Sequence, residues 1–133
     1  TGAGAFDYLS RGAPQVSPVE KAAVQARLIK KTARTLGDDN LRLVRGDVFR
    51  FLATAAPASY DIVFADPPYD MDRFDLVAPT VIDRGIVSPG GIFILEHSRI
   101  RDYSSLPGFH SRRVYGSVNF SIFLFPDVNE AGR

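Results

Sequence analysis

The stretch YDIVFADPPY, residues 60–69, decides the fold prediction. From Tyr60 to Ala65 it is almost continuously apolar and rich in β-branched and aromatic side chains, which is typical of a strand buried on both faces. Such strands belong to parallel sheets that are covered by helices on both sides. The apolar run ends at Asp66. The tetrapeptide Asp66-Pro67-Pro68-Tyr69 is therefore predicted at the carboxyl edge of a sheet, where open α/β sheets bind ligands.

Upstream of this stretch, short apolar runs alternate with helix-like segments, which indicates an α/β protein. The first residues predict a helix over 6–11 that ends at Gly12, then an extended segment over 15–19. A helix is predicted over 20–36, stopped at Gly37, followed by a strand over 41–45 and a helix capped by Asp47. The apolar stripe of the long helix is predicted to comprise Ala22, Ala23, Ala26, Ile29, Ala33 and Leu36.

Downstream, the segment 72–84 has the apolar spacing of a helix, although Pro79 must kink or split it. A second buried strand is predicted over 91–97. The segments 109–115 and 118–125 predict an antiparallel hairpin around Gly116. Residues from Pro126 onward are expected to be frayed. The fold class is therefore α/β, in one domain over 1–133.

Composition sets broad limits on function. The 133 residues suit one domain, and 45% apolar with 23% charged residues is close to the average for globular proteins. A net charge of +1 neither demands nor excludes a nucleic-acid partner. The chain has no Cys, which excludes disulfides and thiolate metal sites and fits a cytoplasmic protein, so no metal is expected. The longest apolar run, over 91–95, is far below the roughly 20 residues of a membrane span, so no membrane partner is expected.

The tetrapeptide has a composition that suits a primary amine. Two consecutive prolines fix φ and remove two donors, which leaves a rigid loop with carbonyl acceptors. An exocyclic amine on a base becomes nucleophilic only when acceptors hold its protons, and Asp66 and the carbonyl of Pro67 are the predicted acceptors. Tyr69 is predicted to stack on a base taken out of its helix, a contact worth roughly 1–3 kcal/mol. The alternative is an ordinary strand-to-loop turn.

Nearly the whole chain resembles the RsmD type of 16S ribosomal RNA guanine-N2-methyltransferase. Five further matches follow the opening TGA…LSRGA in the family's order: Val19-Glu20-Lys21, Gly46-Asp47-Val48, the segment 61–69, Glu96-His97 and Tyr115-Gly116. The tetrapeptide alone would be shared with amino-methylases of DNA adenine and cytosine and with glutamine methyltransferases. It therefore fixes the reaction class better than the substrate.

The resemblance implies a Rossmann-like class I methyltransferase fold. That fold has a seven-stranded sheet, parallel except for one reversed strand, with helices on both faces and S-adenosylmethionine above the carboxyl ends of the strands. The chain begins inside the family's cofactor loop, so the family's first strand is missing and the domain is expected to be truncated at its amino terminus. Pro18 stands at a strand position of the family, where its missing donor should disrupt pairing.

The resemblance also implies which residues bind the cofactor. Gly2 and Gly4 would let the backbone approach it closely, although the family usually has Leu where Gly4 stands. Glu20 resembles the acid that binds the ribose hydroxyls, and Asp47 resembles the acid that receives the adenine amine, with Val48 and Phe49 beside the ring. Each has a simpler interpretation: a turn for the glycines, a first-turn acid for Glu20 and a helix cap for Asp47.

The leading prediction is methyl transfer from S-adenosylmethionine to a guanine amine of ribosomal RNA or of a small-subunit particle. Asp66, Pro67 and Tyr69 are the predicted catalytic residues, and Pro68 joins them in binding the substrate. Four arginines could contact phosphates or simply be solvated: Arg99, Arg101, Arg112 and Arg113. His97 receives no role. A DNA adenine-type amino-methylase, another RNA N-methylase and a non-catalytic RNA-binding domain remain alternatives.

Overall fold

The computed structural model describes residues 15–37 and 40–126. Within them, three α-helices and five strands alternate as the sequence predicts. The helices are α1 (Pro18–Leu36), α2 (Val48–Thr54) and α3 (Val77–Arg84), with a short 3-10 turn at Phe74–Leu76; the strands are β1 (Leu41–Arg45), β2 (Tyr60–Asp66), β3 (Val87–His97), β4 (Phe109–Tyr115) and β5 (Val118–Leu124). The predicted helix over 6–11, the glycines Gly2 and Gly4, and the tail beyond Pro126 lie outside the described residues.

The strands form one mixed sheet in the order β1-β2-β3-β5-β4. β1, β2 and β3 run parallel, β5 is antiparallel to β3, and β4 is antiparallel to β5. The α/β class and the carboxyl-terminal hairpin are confirmed. The described part of the chain has five strands and not the seven of the family's sheet: the family's first strand was already expected to be missing, and residues 15–19 form no strand.

Helices cover both faces of the sheet because β2 and β3 alternate their side chains. Val63 and Phe93 point to the face that α2 and α3 cover, and the buried residues there form the larger core. Phe64 and Ile94 point to the opposite face, where they pack with Leu28 of α1. This two-sided burial is what the apolar run of β2 predicts. None of the helices in the described ranges is both long and apolar enough to cross a membrane.

Helix α1 begins earlier than the sequence prediction. The Ser17 hydroxyl accepts from the Glu20 N–H at 3.1 Å, and the Glu20 carboxylate accepts from the Ser17 N–H at 3.2 Å, which is a complete capping box. Pro18 occupies the first helical position, where its missing N–H costs no hydrogen bond. Of the predicted extended segment over 15–19, Ser17 is extended, but the prediction is wrong for Pro18 and Val19, which belong to α1, so Pro18 disrupts no strand. The predicted stop at Gly37, which is left-handed, is confirmed.

The buried face of α1 also differs from the predicted stripe. Ala22, Ala23 and Ala26 are exposed; the buried residues are Val24, Gln25, Leu28 and Thr32. Two of these are polar and have hydrogen-bond partners, as burial requires: the Thr32 hydroxyl donates to the Leu28 carbonyl at 2.7 Å, and Gln25 bonds to two carboxylates. The predicted stripe is therefore right in part, since Ile29 and Leu36 pack against the core, and it misses the polar residues of this face.

The later elements follow the prediction with shifted ends. The segment 72–84 splits ahead of Val77, so Pro79 lies in the first turn of α3, where an N–H has no partner within the helix, and causes no kink. β3 begins at Val87 rather than Gly91. A Cβ on Gly91 would lie 2.6 Å from the Asp61 carbonyl oxygen, so only glycine lets β3 pass this close to β2. The hairpin has its predicted first strand, and its second strand ends at Leu124.

Candidate active site

The predicted tetrapeptide lines an open cleft at the carboxyl end of β2. Asp66 is the last residue of that strand, Pro67 is buried beneath the loop, and Pro68 and Tyr69 are exposed. All four residues line a cleft of about 300 Å³, together with Lys21 and Gly46. The structure therefore brings the four predicted residues together at the edge where α/β sheets bind ligands.

The Asp66 carboxylate is oriented by polar side chains from α1 and β1. The Gln25 amide donates to Asp66 Oδ2 at 2.9 Å, and the side chain of Asp66 remains 14% exposed. Lys21 Nζ and Arg45 Nε each lie 3.9 Å from one of its oxygens. Arg45 in turn donates to the side-chain oxygen Oε1 of Gln25 at 3.0 Å, which fixes the direction of the side-chain amide. One carboxylate oxygen is thus held while the group stays open to the cleft.

A second acid, Glu96, lies completely buried beside Asp66 at the end of β3. Lys21 Nζ lies 2.7 Å from its Oε2, the Gln25 amide donates to its Oε1 at 2.6 Å, and the Tyr69 hydroxyl donates to its Oε2 at 3.0 Å. We call Lys21, Gln25, Tyr69 and Glu96 the carboxylate clamp. Buried acids require such partners, because an unpaired charge away from water is strongly unfavourable.

The clamp fixes the orientation of Tyr69. Burial raises the pKa of the Tyr69 hydroxyl well above its usual range, and the charge of Glu96 and its hydrogen bond add to the effect. The hydroxyl therefore stays protonated and keeps donating to Glu96. Tyr69 is 39% exposed overall, and Lys21 Nζ lies 5.6 Å from the ring centroid. An aromatic ring that is fixed at its hydroxyl and open to the cleft can stack on a planar ligand.

Asp47 lines a neighbouring cleft of about 430 Å³, together with Phe49, Pro68 and Met71 among others. As predicted, it caps α2, accepting from the Arg50 N–H at 3.1 Å. This cleft and the tetrapeptide cleft share Gly46 and Pro68, so the two adjoin.

The other residues predicted to bind a cofactor are placed differently. Val48 is 1% exposed and packs into the core beneath α2, so Phe49 rather than Val48 lines the cleft beside Asp47. Glu20 serves the capping box and lines neither of the two adjoining clefts. Its hydrogen bonds to Ser17 lower the pKa of its carboxyl. Gly2 and Gly4 lie outside the described residues.

His97 is a structural residue at the end of β3. Its side chain is fully buried, with Nδ1 2.7 Å from the Ser98 carbonyl oxygen and Nε2 2.7 Å from the Ser121 hydroxyl. Burial lowers the pKa of His97. The neutral ring, donating through Nδ1 and accepting at Nε2, satisfies both contacts.

The four arginines that could contact phosphates do not all line one cleft. Arg99 and Arg112 line a cleft of about 800 Å³ that also reaches Tyr69. Arg101 forms an ion pair with Asp75 instead. Arg113 follows Arg112 on β4 and does not line this cleft, as expected when successive strand residues point to opposite faces.

Sequence reasoning missed the clamp around the motif. Glu96 had a readable signal, because it is a charged residue that directly follows the apolar run over 92–95 of β3. Lys21 entered only as part of a resemblance. Gln25 had no signal, since a single Gln in a helix is ordinary. Among the described residues, no three His, Asp or Glu side chains are grouped as metal ligands would be.

The mixed sheet, with Asp-Pro-Pro-Tyr facing a cleft at the carboxyl end of β2, defines the class of protein: an α/β fold of the methyltransferase type. The chain belongs to the family described as conserved hypothetical protein 95, whose profile matches residues 1–124. No curated protein sequence shows significant similarity to the chain.

Comparison with solved structures gives one likeness that supports this class. The chain resembles "Putative methyltransferase yhhF from Escherichia coli" with a TM-score of 0.50 and 25% identity, over 79% of this chain and 58% of that one. A putative methylase from Haemophilus influenzae has a TM-score of 0.48 and 17% identity, over 77% of this chain and 66% of that one. A conserved hypothetical protein from Streptococcus pyogenes has a TM-score of 0.49 and 15% identity, over 58% of this chain and 49% of that one. The chain thus matches about half to two thirds of these structures' length, and the family match with the yhhF likeness supports a methyltransferase family.

Proposed function

We propose that the protein transfers a methyl group from S-adenosylmethionine to the exocyclic N2 amine of a guanine in small-subunit ribosomal RNA, in the cytoplasm. The observation that carries the proposal is the position of Asp66, Pro67, Pro68 and Tyr69, which together line one open cleft at the carboxyl end of β2. The choice of RNA and of guanine is supported by the RsmD-type resemblance.

The residues of the cleft suit an aromatic amine. Asp66 would accept one amine N–H through the face that Gln25 leaves open, and the Pro67 carbonyl would accept the other. The carbonyl of Pro68 is already bonded to the Met71 N–H at 3.1 Å, which closes the turn behind the motif. With both protons held, the nitrogen lone pair is turned out of conjugation, and Asp66 can take the proton that the amine loses. Tyr69 would hold the base by stacking.

The residues around Asp47 fit the adenosine part of the cofactor. Asp47 offers a carboxylate to an adenine amine, and Phe49 and Met71 offer apolar walls to the ring. S-adenosylmethionine, when bound, supplies an electrophilic methyl group on a sulfonium. This cleft adjoins the tetrapeptide cleft through Gly46 and Pro68, as a donor beside an acceptor requires. The roles of Gly2, Gly4 and Glu20 stay predictions, and Val48 would act only by supporting α2.

Transfer of radiolabelled methyl from S-adenosylmethionine to three acceptors tests the proposal: small-subunit ribosomal RNA or particles, duplex DNA, and a glutamine-containing peptide. We expect label on the ribosomal RNA. Asp66→Asn keeps an oxygen for Gln25 but loses the base, so turnover should fall by about 10²–10⁴. Calorimetry with S-adenosylhomocysteine should show unchanged binding to this variant.

Asp70→Asn is the matched control, because Asp70 is exposed and does not line the tetrapeptide cleft. It should turn over like the parent protein. Unchanged turnover in Asp66→Asn would defeat the role given to Asp66. Label on DNA or peptide but not on RNA would refute the substrate, and undetectable binding of S-adenosylhomocysteine to the parent protein would refute the enzyme.

A further inference from the structure

The cleft of about 800 Å³ lies between Tyr69 and the turn that joins β4 to β5. Its described lining includes three cationic side chains, Lys21, Arg99 and Arg112, and no carboxylate. Lys21 is balanced by Glu96 at 2.7 Å, so Arg112 is the cation of this lining that a bound anion would meet. Asp102 interacts electrostatically with Arg112 but does not line the cleft.

Arg112 is held rigidly in the wall of this cleft. Its guanidinium donates to the carbonyls of Arg99 and Arg101 at 2.7 and 3.0 Å, and to the Asn119 side-chain oxygen at 2.9 Å. These three acceptors are neutral, so they fix the position of the charge without cancelling it. A cation that is already positioned loses little side-chain entropy when an anion binds.

The same cleft exposes apolar surface. Ile100 is 83% exposed and Val114 is 56% exposed, and both line the cleft that Tyr69 enters. Apolar and aromatic faces beside fixed cations suit a nucleotide, whose base stacks and whose phosphate is charged. A volume of about 800 Å³ is that of a pocket for a small ligand, such as one nucleotide. A duplex is instead bound by protein elements that enter its grooves, which are about 12 Å wide, and this cleft is a concave site and not such an element. The geometry therefore favours a single strand.

We propose that this cleft binds the nucleotide that adjoins the target base in a single strand of RNA. Its base lies against Ile100 and Val114, and its phosphate faces Arg112. The inference rests on the proposed function for its choice of RNA, and it adds a binding site outside the tetrapeptide. Arg113 and Arg101 take no part.

Fluorescence anisotropy with a labelled 12-nucleotide single-stranded RNA, without methyl donor, tests the cleft in the whole protein. Ile100→Glu places a negative charge in the cleft at a surface position that folding does not require, and should weaken binding about tenfold by repulsion from the phosphate. Val19→Glu is the matched control: Val19 is 79% exposed, receives the same charge and lies outside the cleft. It should change affinity less than about twofold, because its exposed side chain does not enter the cleft and its charge is screened by water and salt.

Arg112→Gln and its neighbour Arg113→Gln form a second matched pair. Loss of one phosphate contact should reduce the slope of log K against the logarithm of the salt concentration by about 0.7 in Arg112→Gln and leave it unchanged in Arg113→Gln. Circular dichroism shows whether Arg112→Gln folds, and Ile100→Glu decides the test if it does not. Equal losses in Ile100→Glu and Val19→Glu would overturn the proposal, as would duplex DNA that binds as tightly as RNA.

The cleft and the proposed function can fail separately. If the parent protein binds RNA in an Ile100-dependent way but transfers no methyl group, the cleft stands and the enzyme is refuted. If the parent protein methylates RNA and both glutamate variants keep its KM, the enzyme stands and the cleft is refuted.

Discussion

Replacing Glu96 by Gln tests the carboxylate clamp, because it keeps the side-chain volume and removes the charge. Three donors converge on Glu96: Lys21 at 2.7 Å, Gln25 at 2.6 Å and the Tyr69 hydroxyl at 3.0 Å. A Gln oxygen can still accept from Gln25, and the Tyr69 hydroxyl can turn to accept from the new amide. Lys21 loses its charged partner, and a hydrogen bond between charged groups contributes about 1.5–3 kcal/mol.

The lower half of that range applies to Glu96→Gln. The Lys21 side chain is 35% exposed, and Asp66 lies 3.9 Å from its Nζ, so water and Asp66 replace part of the lost contact. We expect the free energy of unfolding to fall by about 1.5–2 kcal/mol, measured by urea denaturation at pH 7.

Two further variants make the measurement specific to the clamp. A double-mutant cycle with Lys21→Met should give a coupling of about 1 kcal/mol or more. Glu20→Gln is the control, because its carboxylate is exposed and bonds to backbone, and its effect should be clearly smaller. A loss below about 0.5 kcal/mol for Glu96→Gln, or no coupling to Lys21, would refute the clamp, since removing one partner of a buried charge pair leaves the other charge uncompensated.

Two further predictions concern the frame around the site. Because burial lowers the pKa of His97, the unfolded chain takes up a proton below about pH 6.5 that the folded protein refuses, so stability should fall as pH drops through that value. His97→Gln should flatten the dependence of the free energy of unfolding on pH, measured by urea denaturation between pH 7 and 5.5. His110→Gln, at an exposed position, is the control and should not. Equal slopes against pH in both variants would contradict the structural role of His97. Gly91→Ala should lower the free energy of unfolding by about 1–3 kcal/mol, because the new Cβ meets the Asp61 carbonyl oxygen at 2.6 Å. An unchanged urea midpoint would show that β2 and β3 can separate freely.

Local patterns were sufficient to predict the strand that carries the motif. The apolar run from Tyr60 to Ala65 indicated two-sided burial, and both faces of β2 are covered. The end of the strand at Asp66 could also be predicted, because this polar residue interrupts the apolar run. The start of α1 was equally readable, since Ser17, Pro18 and Glu20 form the pattern of a capping box. The predicted extended segment over 15–19 disregards this capping pattern.

The clamp could be predicted only in part, because it depends on pairing between distant segments. The register that places Ala65 opposite Leu95 makes Asp66 and Glu96 neighbours, so two apolar strand segments that are each followed by an acid were a usable clue. Nothing local marks Gln25, which takes part because the helix face that carries it packs on the sheet. The register between two strands and the rotation of a helix about its axis follow from tertiary packing, so they cannot be predicted from a single sequence.

The position of the methyl group on the product tests the central claim most directly. Asp66 and the Pro67 carbonyl are proposed to hold the two protons of an exocyclic amine. Ribosomal RNA methylated by the protein should therefore yield N2-methylguanosine when it is digested to nucleosides and analysed by mass spectrometry. A methyl group on a ring nitrogen, a ring carbon or a ribose oxygen would contradict the account, because none of those acceptors presents an amine for the two oxygens to hold.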